Sequence, residues 1–172
     1  MEAVAVRAET VDLAGFLDGH LAAAYRLARA IVADDADAED LVQEASLIAW
    51  RKHRSLRDPD RLEAWFDRIV INLCRDRLRR RHTARTVERS TWPVDDHVAV
   101  PGEDTRDDLD LDAALDALDV EHRIVVLLRY WQDRTVDDIA ARLDIPPGTV
   151  KSRLHYALRQ LRERLEASDG RA

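Results

Sequence analysis

At 172 residues, 46% hydrophobic and 35% charged, the chain has material for one ordinary domain or two small ones. Five glycines, five prolines and two phenylalanines in an Ala-, Leu-, Arg-, Asp- and Glu-rich background favour helix and argue against a β-rich fold, so the expected class is all-α. The net charge of −7 argues against nucleic-acid binding by the surface as a whole, but it is unevenly spread. Residues 89–119 hold ten acids against two bases, a net of −8, which leaves +1 for everything else. Residues 75–85 alone carry six arginines against Asp76.

The lone cysteine, Cys74, excludes an internal disulfide and fits a reducing compartment. Six scattered histidines show no zinc-ligand spacing, and no nucleophile–base pair stands out. No metal, cofactor or enzymatic activity is therefore expected. The N-terminus carries Glu2 and Glu9 and lacks an apolar segment, and no apolar run approaches membrane-spanning length. These features predict a cytosolic protein with no secretion signal and no membrane contact.

In chain order, Leu17, Leu21, Ala24, Ala28 and Ile31 recur at helical spacing until Asp34-Asp35-Ala36-Asp37 interrupts them. Asp37 is the expected N-cap of a second helix reaching about His53, with Leu41, Ala45 and Ile48 on its core face. A polar stretch around Pro59 separates it from a third helix, about Arg61 to Arg81, whose stripe is Leu62, Trp65, Phe66, Ile69 and Leu73. Cys74, beside that stripe, reads as a small core residue. Residues 83–110, with Pro93, Pro101, Gly102 and little periodicity, read as a connector. Within it Asp108, Asp110 and Asp112 imitate a calcium loop, but Ala113 stands where glycine is required, so calcium binding is not expected.

The second half opens with a short helix (Leu111, Leu115, Leu118) and another from Glu121 to about Trp131. Thr135 and Asp138 form a capping-box-like start to a helix carrying Ile139, Ala140 and Leu143. The turn Asp144-Ile145-Pro146 then leads into a basic helix opened by Pro147, with Val150, Leu154, Leu158 and Leu161 on one face. Two helices joined this way make a helix-turn-helix, expected over 136–155. Thr149, Lys151, Ser152, Arg153 and His155 then occupy the reading position, where cations suit guanine edges or phosphates and hydroxyls suit phosphates. On the second helix, Glu39, Asp40, Gln43 and Glu44 present an acidic and amide face. Such a face can pair with arginines on a partner, or simply keep a helix soluble.

The stretch Thr135–His155, with Val125–Tyr130 before it, resembles region 4 of bacterial sigma factors, particularly the short extracytoplasmic-function group. Asp37–Trp50 is similar to that family's region 2.2, which docks on the clamp coiled coil of the polymerase β′ subunit. By resemblance, Asp37, Glu39, Asp40, Gln43, Glu44 and Trp50 are core-polymerase contacts. Trp65 through Arg81 resembles regions 2.3 and 2.4, which open and read the −10 element. That resemblance assigns Asn72, Arg75, Arg77, Arg79, Arg80 and Arg81 to DNA, with the loop Ser55–Asp60 where the family holds its base-selecting loop. A cationic track suits a separated strand, and an amide suits a base edge. The phase of Trp65 and Phe66 favours the core over base stacking. The segment is poorer in aromatics than in housekeeping sigma factors, which implies weaker melting and stricter promoter choice.

The implied architecture is two small helical domains: region 2 over 10–88, an acidic linker over 89–110, and region 4 over 111–168. No appended sensor domain is expected. The implied partners are core RNA polymerase, promoter DNA with region 4 gripping the −35 element, and an anti-sigma factor. Asp144, where glycine is common, and the doubled Pro146-Pro147 are the departures from the family pattern.

Overall fold

The computed structural model describes residues 12–56, 58–88, 111 and 113–169, with side chains described to residue 82 in the third helix and to 167 at the C-terminal end. Among them every regular element is helical. Helix α1 (Leu13–Val32) is capped by Asp12, whose carboxylate accepts from the Gly15 N–H at 3.0 Å. It ends where Ala33 turns left-handed (φ 56°) and donates back to the Arg29 carbonyl at 2.8 Å.

Helix α2 (Asp35–Lys52) follows after a two-residue link, short enough to fold it back along α1. Its N-cap is Asp34, not the expected Asp37. Asp34 is extended (φ −153°) and accepts from the Asp37 N–H at 2.8 Å, which satisfies an end donor and holds the Asp34 carboxyl below its ordinary range. Asp37 already lies in the first turn.

Two short 3-10 turns, His53–Ser55 and Pro59–Arg61, lead to α3 (Leu62–Glu88). Asp58 accepts from the Asp60 N–H at 3.1 Å at the second turn. α3 runs on through Glu88, past the expected end near Arg81 and into what reads in sequence as connector. The first core is built from Leu27, Ala28, Ile31, Leu41, Ala45, Ala49, Phe66, Val70, Ile71 and Cys74. Alanines on α1 and α2 bring the two helices close, and Phe16 meets Phe66 edge-on with ring centroids 5.7 Å apart. Trp65, Ile69 and Leu73 pack against this core from its margin. Burial pushes the Cys74 thiol up to about 12, as suits an inert core residue.

In the second domain a helical turn at 113–116 precedes α4 (Val120–Val126), which Asp119 caps by accepting from the Glu121 N–H at 2.9 Å. α4 continues as a wide π turn over Leu127–Trp131. α5 (Val136–Leu143) has the expected capping box: the Thr135 Oγ1 accepts from the Asp138 N–H at 3.1 Å, and the Asp138 carboxylate accepts from the Thr135 N–H at 3.2 Å. Asp144 then takes the left-handed conformation (φ 57°) that favours glycine, one that aspartate tolerates better than most residues. The departure at Asp144 therefore leaves the turn intact. α6 (Pro147–Asp169) begins on Pro147, with the Thr149 and Val150 N–H groups donating to the Pro146 carbonyl. Its buried face is Val150, Leu154, Ala157 and Leu161. The expected Leu158 is 37% exposed, because spacings of four, three and four follow a 3.6-residue turn better than four, four and three.

The domains meet along α3. Arg68 donates to the carbonyls of Ala141 (2.6 Å) and Arg142 (3.2 Å) at the end of α5. Asp67 accepts from Arg142 Nε at 2.8 Å, and Glu63 pairs with Arg134. Burial pushes the Asp67 carboxyl up, against the lowering pull of Arg142. Arg123 of α4, also buried, donates to the Ile31 carbonyl near the end of α1 at 2.9 Å.

Position 157 faces closely packed side chains and 158 faces solvent. Ala157→Leu should therefore cost about 1–3 kcal/mol by overpacking, whereas Leu158→Ser should stay within about 0.5 kcal/mol of the parent. Urea unfolding followed by circular dichroism compares them, and equal costs would contradict this helical phase.

Candidate nucleic-acid interface and docking face

On α2 the side chains of Glu39, Asp40, Gln43, Glu44 and Trp50 are exposed together. Leu47 lies among them, 56% exposed, outside the inward set Leu41, Val42, Ala45 and Ala49. Ile48, expected on that inward face, is only partly buried. Beside this face a shallow apolar groove runs between α1 and α2, lined by Leu21, Tyr25, Val42 and Ser46. Leu21, assigned in sequence to the core stripe, is thus a surface residue. The signal for Leu47 was present in sequence: it breaks the three-four spacing that every buried neighbour keeps.

The structure does not bring Asp37 to this face. It is buried and receives Arg77 and Arg81 of α3. Arg81 also reaches Asp34 at 3.2 Å. The carboxylates suit the positive end of α2, and the two arginines neutralise them where solvent is scarce. The next acid, Asp35, accepts from Tyr25 Oη (2.9 Å) and Arg29 Nε (2.6 Å), and the tyrosine hydrogen bond followed by that of the arginine holds its carboxyl low.

The arginine cluster of α3 is therefore divided by phase. Arg77 and Arg81 point to the start of α2, while Arg79 and Arg80 lie on the exposed side, Arg79 within 2.8 Å of Asp76. Asn72 is exposed, and its Oδ1 accepts from Arg75 Nη1 at 3.1 Å. Arg75 itself turns to the second domain, with Nε 2.6 Å and Nη2 2.8 Å from the two carboxylate oxygens of Glu121.

On α6, Lys151, Ser152 and His155 share one exposed face with Tyr156, Arg159 and Arg162. The Arg159 guanidinium sits 5.1 Å over the Tyr156 ring, so an aromatic and a cation extend the face beyond the residues singled out in sequence. Ser152 Oγ donates to the Thr149 carbonyl at 3.0 Å, and Thr149 is half-buried. Arg153 falls on the other side, toward α4, with Nη1 2.5 Å from Glu121 Oε2. Glu121 is the residue sequence reasoning missed; its place in the first turn of a helix gave it an ordinary electrostatic role.

Of the connector, Trp92, Asp108, Asp110 and Asp112 lie outside the described residues, as do positions 1–11. Among the described residues no His, Cys, Asp and Glu side chains gather as a metal site, and no helix is long and apolar enough to cross a membrane.

Since Asp37 is covered and holds two guanidinium groups, Asp37→Ala should destabilise the fold by about 1–3 kcal/mol through the stranded partners. Asp40→Ala, on the exposed side of the same helix, should change stability by less than about 0.5 kcal/mol. Denaturation midpoints of the two variants decide this, and matching values would place Asp37 outside the structural anchor.

Comparison with known proteins agrees with the motifs. Residues 16–97 match the family model for sigma-70 region 2, and residues 114–163 match the model for sigma-70 region 4. The chain is 37% identical over 172 residues to the ECF RNA polymerase sigma factor SigL of Mycobacterium tuberculosis, covering 94% of this chain and 93% of that one. It is 32% identical over 145 residues to the RNA polymerase sigma factor SigV of Bacillus subtilis, covering 84% and 86%. Among solved structures, the sigma factor RpoE of Bartonella quintana in complex with the anti-sigma factor NepR matches with a TM-score of 0.74 at 26% identity, over 91% of this chain and 98% of that one. CnrH in complex with the cytosolic domain of CnrY matches with a TM-score of 0.64 at 25% identity, over 90% and 88%. The chain belongs to the extracytoplasmic-function group of the sigma-70 family, non-enzymatic transcription initiation factors that direct RNA polymerase to promoters.

Proposed function

We propose that each step of promoter use falls to a separate face of this chain. The exposed side of α2, Glu39, Asp40, Gln43, Glu44 and Trp50 around Leu47, docks on the clamp coiled coil of the polymerase β′ subunit. Acids and an amide ringing an exposed leucine suit a helical partner bearing arginines and one apolar knob. Asp37 contributes to this face indirectly, by tying α3 behind it. Asn72, Arg75, Arg79 and Arg80 engage the −10 element, with Arg77 and Arg81 fixing the helix that carries them. Lys151, Ser152 and His155, with Arg153 and Thr149 at the margin, read or grip the −35 duplex. The working division is 10–88, 89–110 and 111–168, and the site of action is the cytoplasm.

The observation that carries this reading is the coexistence, in one chain, of a capped helix-turn-helix whose second helix exposes cations and an α2 whose exposed face is acidic. A DNA-binding regulator needs only the former. One matched structure is a sigma factor bound to an anti-sigma factor, which supports a partner of that kind here. The groove beside Leu21 and Tyr25 adjoins the face such a partner would cover.

Co-purification with core polymerase, followed by run-off transcription from promoters selected with the holoenzyme, tests the proposal; a chain that binds no core and starts no transcript refutes it. Glu44→Arg should weaken core binding by about tenfold or more, equivalent to about 1.4 kcal/mol, while duplex binding is retained. Lys151→Glu should do the reverse: it should weaken binding to every duplex and flatten the salt dependence, because a phosphate contact is lost. Loss of core binding in Lys151→Glu would contradict the assignment of faces.

A further inference from the structure

The unpaired cations of this chain are not confined to the faces assigned above to nucleic acid. Arg29, Arg61, Arg75, Arg77 and Arg81 each hold a carboxylate. Arg51 and Arg54, at the C-terminal end of α2, hold none among the described residues, a state they share with Arg80 and Lys151. Both line a cavity of about 470 Å³ between the end of α2 and the start of α1, together with Trp50, His53 and Asp12. The chain tightens here into the 3-10 turn His53–Ser55, so residues three apart, such as Arg51 and Arg54, emerge on one side. His53 Nδ1 donates to the Trp50 carbonyl at 2.9 Å, and its ring lies 6.2 Å from the indole, tilted by 44°. The indole is 59% exposed. Across the cavity, Asp12 Oδ1 accepts from the Gly15 N–H, while Oδ2 accepts from no described residue. A Cβ at position 15 would come within 2.5 Å of Oδ2, so glycine there keeps that oxygen clear.

We propose that this cavity binds a purine nucleoside di- or triphosphate. The indole stacks the base, Arg51 and Arg54 take successive phosphates, and Asp12 Oδ2 accepts from the sugar hydroxyls. A bare polyphosphate would use the two cations without the indole and would be repelled by Asp12. The volume is that of one small ligand, not of a run of strand. The place is also separate from the arginine track of α3: Arg77 and Arg81 are anchored at Asp37, about 20 Å back along α2 from Arg51. Trp50 is shared with the docking face assigned above, but Arg51, His53 and Arg54 are not, and the site does not depend on that assignment.

Isothermal titration of the full chain at constant ionic strength tests the site, with ATP and GTP as ligands and the nucleosides and inorganic tripolyphosphate as fragments. The tighter nucleotide should bind with Kd below about 1 mM, and each fragment should bind about tenfold more weakly or worse. Arg51→Gln with Arg54→Gln should weaken that nucleotide by about tenfold or more, and Trp50→Leu several-fold. Arg79→Gln with Arg80→Gln should leave its affinity unchanged. These positions are all exposed, so the substitutions leave the fold intact. Absence of nucleotide binding in that range overturns the proposal. So does tripolyphosphate binding as tightly as the nucleotide, or equal weakening by the Arg79 and Arg80 pair, since either reduces the site to nonspecific charge. Single-stranded oligothymidine is the last arm: if Arg51→Gln with Arg54→Gln weakens it as much as the nucleotide, the cavity serves a DNA strand and the free-nucleotide site is wrong.

Discussion

Two arginines of α3, Arg77 and Arg81, reach back to the first turn of α2, and much of what the first domain presents outward follows from that contact. The end of a helix leaves unpaired N–H groups and partial positive charge, which Asp34, Asp35 and Asp37 answer. Three carboxylates so close together need cations in turn. Arg77 and Arg81 supply them from one side of α3, and Arg29 supplies one from α1. With that side of α3 committed, Asn72, Arg79 and Arg80 face outward and Arg75 faces the second domain. The acidic face of α2 and the cationic face of α3 are thus set by one shared anchor.

The second domain is organised by its turn. Thr135 and Asp138 start α5 by mutual hydrogen bonding, Asp144 ends it in a left-handed conformation, and Pro147 starts α6 in the first turn, where an N–H has no partner within the helix. These local choices fix the angle between the two helices before any packing is considered. Packing then decides the rotation of α6. Small Ala157, not Leu158, lies against the interior, and this turns Lys151, Ser152 and His155 outward and Arg153 toward α4.

Burial makes the charge of the interface between the domains consequential. Exposed ion pairs contribute little, and a covered pair such as Asp67–Arg142 offsets its desolvation only when its geometry is complementary.

The helices, the capping box, the Pro147 start and the two family motifs were all legible in the linear chain, because each depends on spacing and on chemistry within four or five residues. The exposed cluster on α2 was legible for the same reason. Local pattern was insufficient wherever several residues of one type competed for a role. Any of three aspartates could have capped α2, two apolar registers (through Ala157 or through Leu158) fitted α6, and six arginines near residue 80 looked equivalent. The tertiary structure separated them: an arginine in a helix can face a buried acid, solvent or a second domain, and which it faces depends on residues far away in sequence. The sequence by itself determined the family, the helical class and the types of surface this protein carries. The burial of Asp37 and the pairing of Arg75 with Glu121 were decided only by folding, because burial and long-range charge partners do not exist until the helices pack.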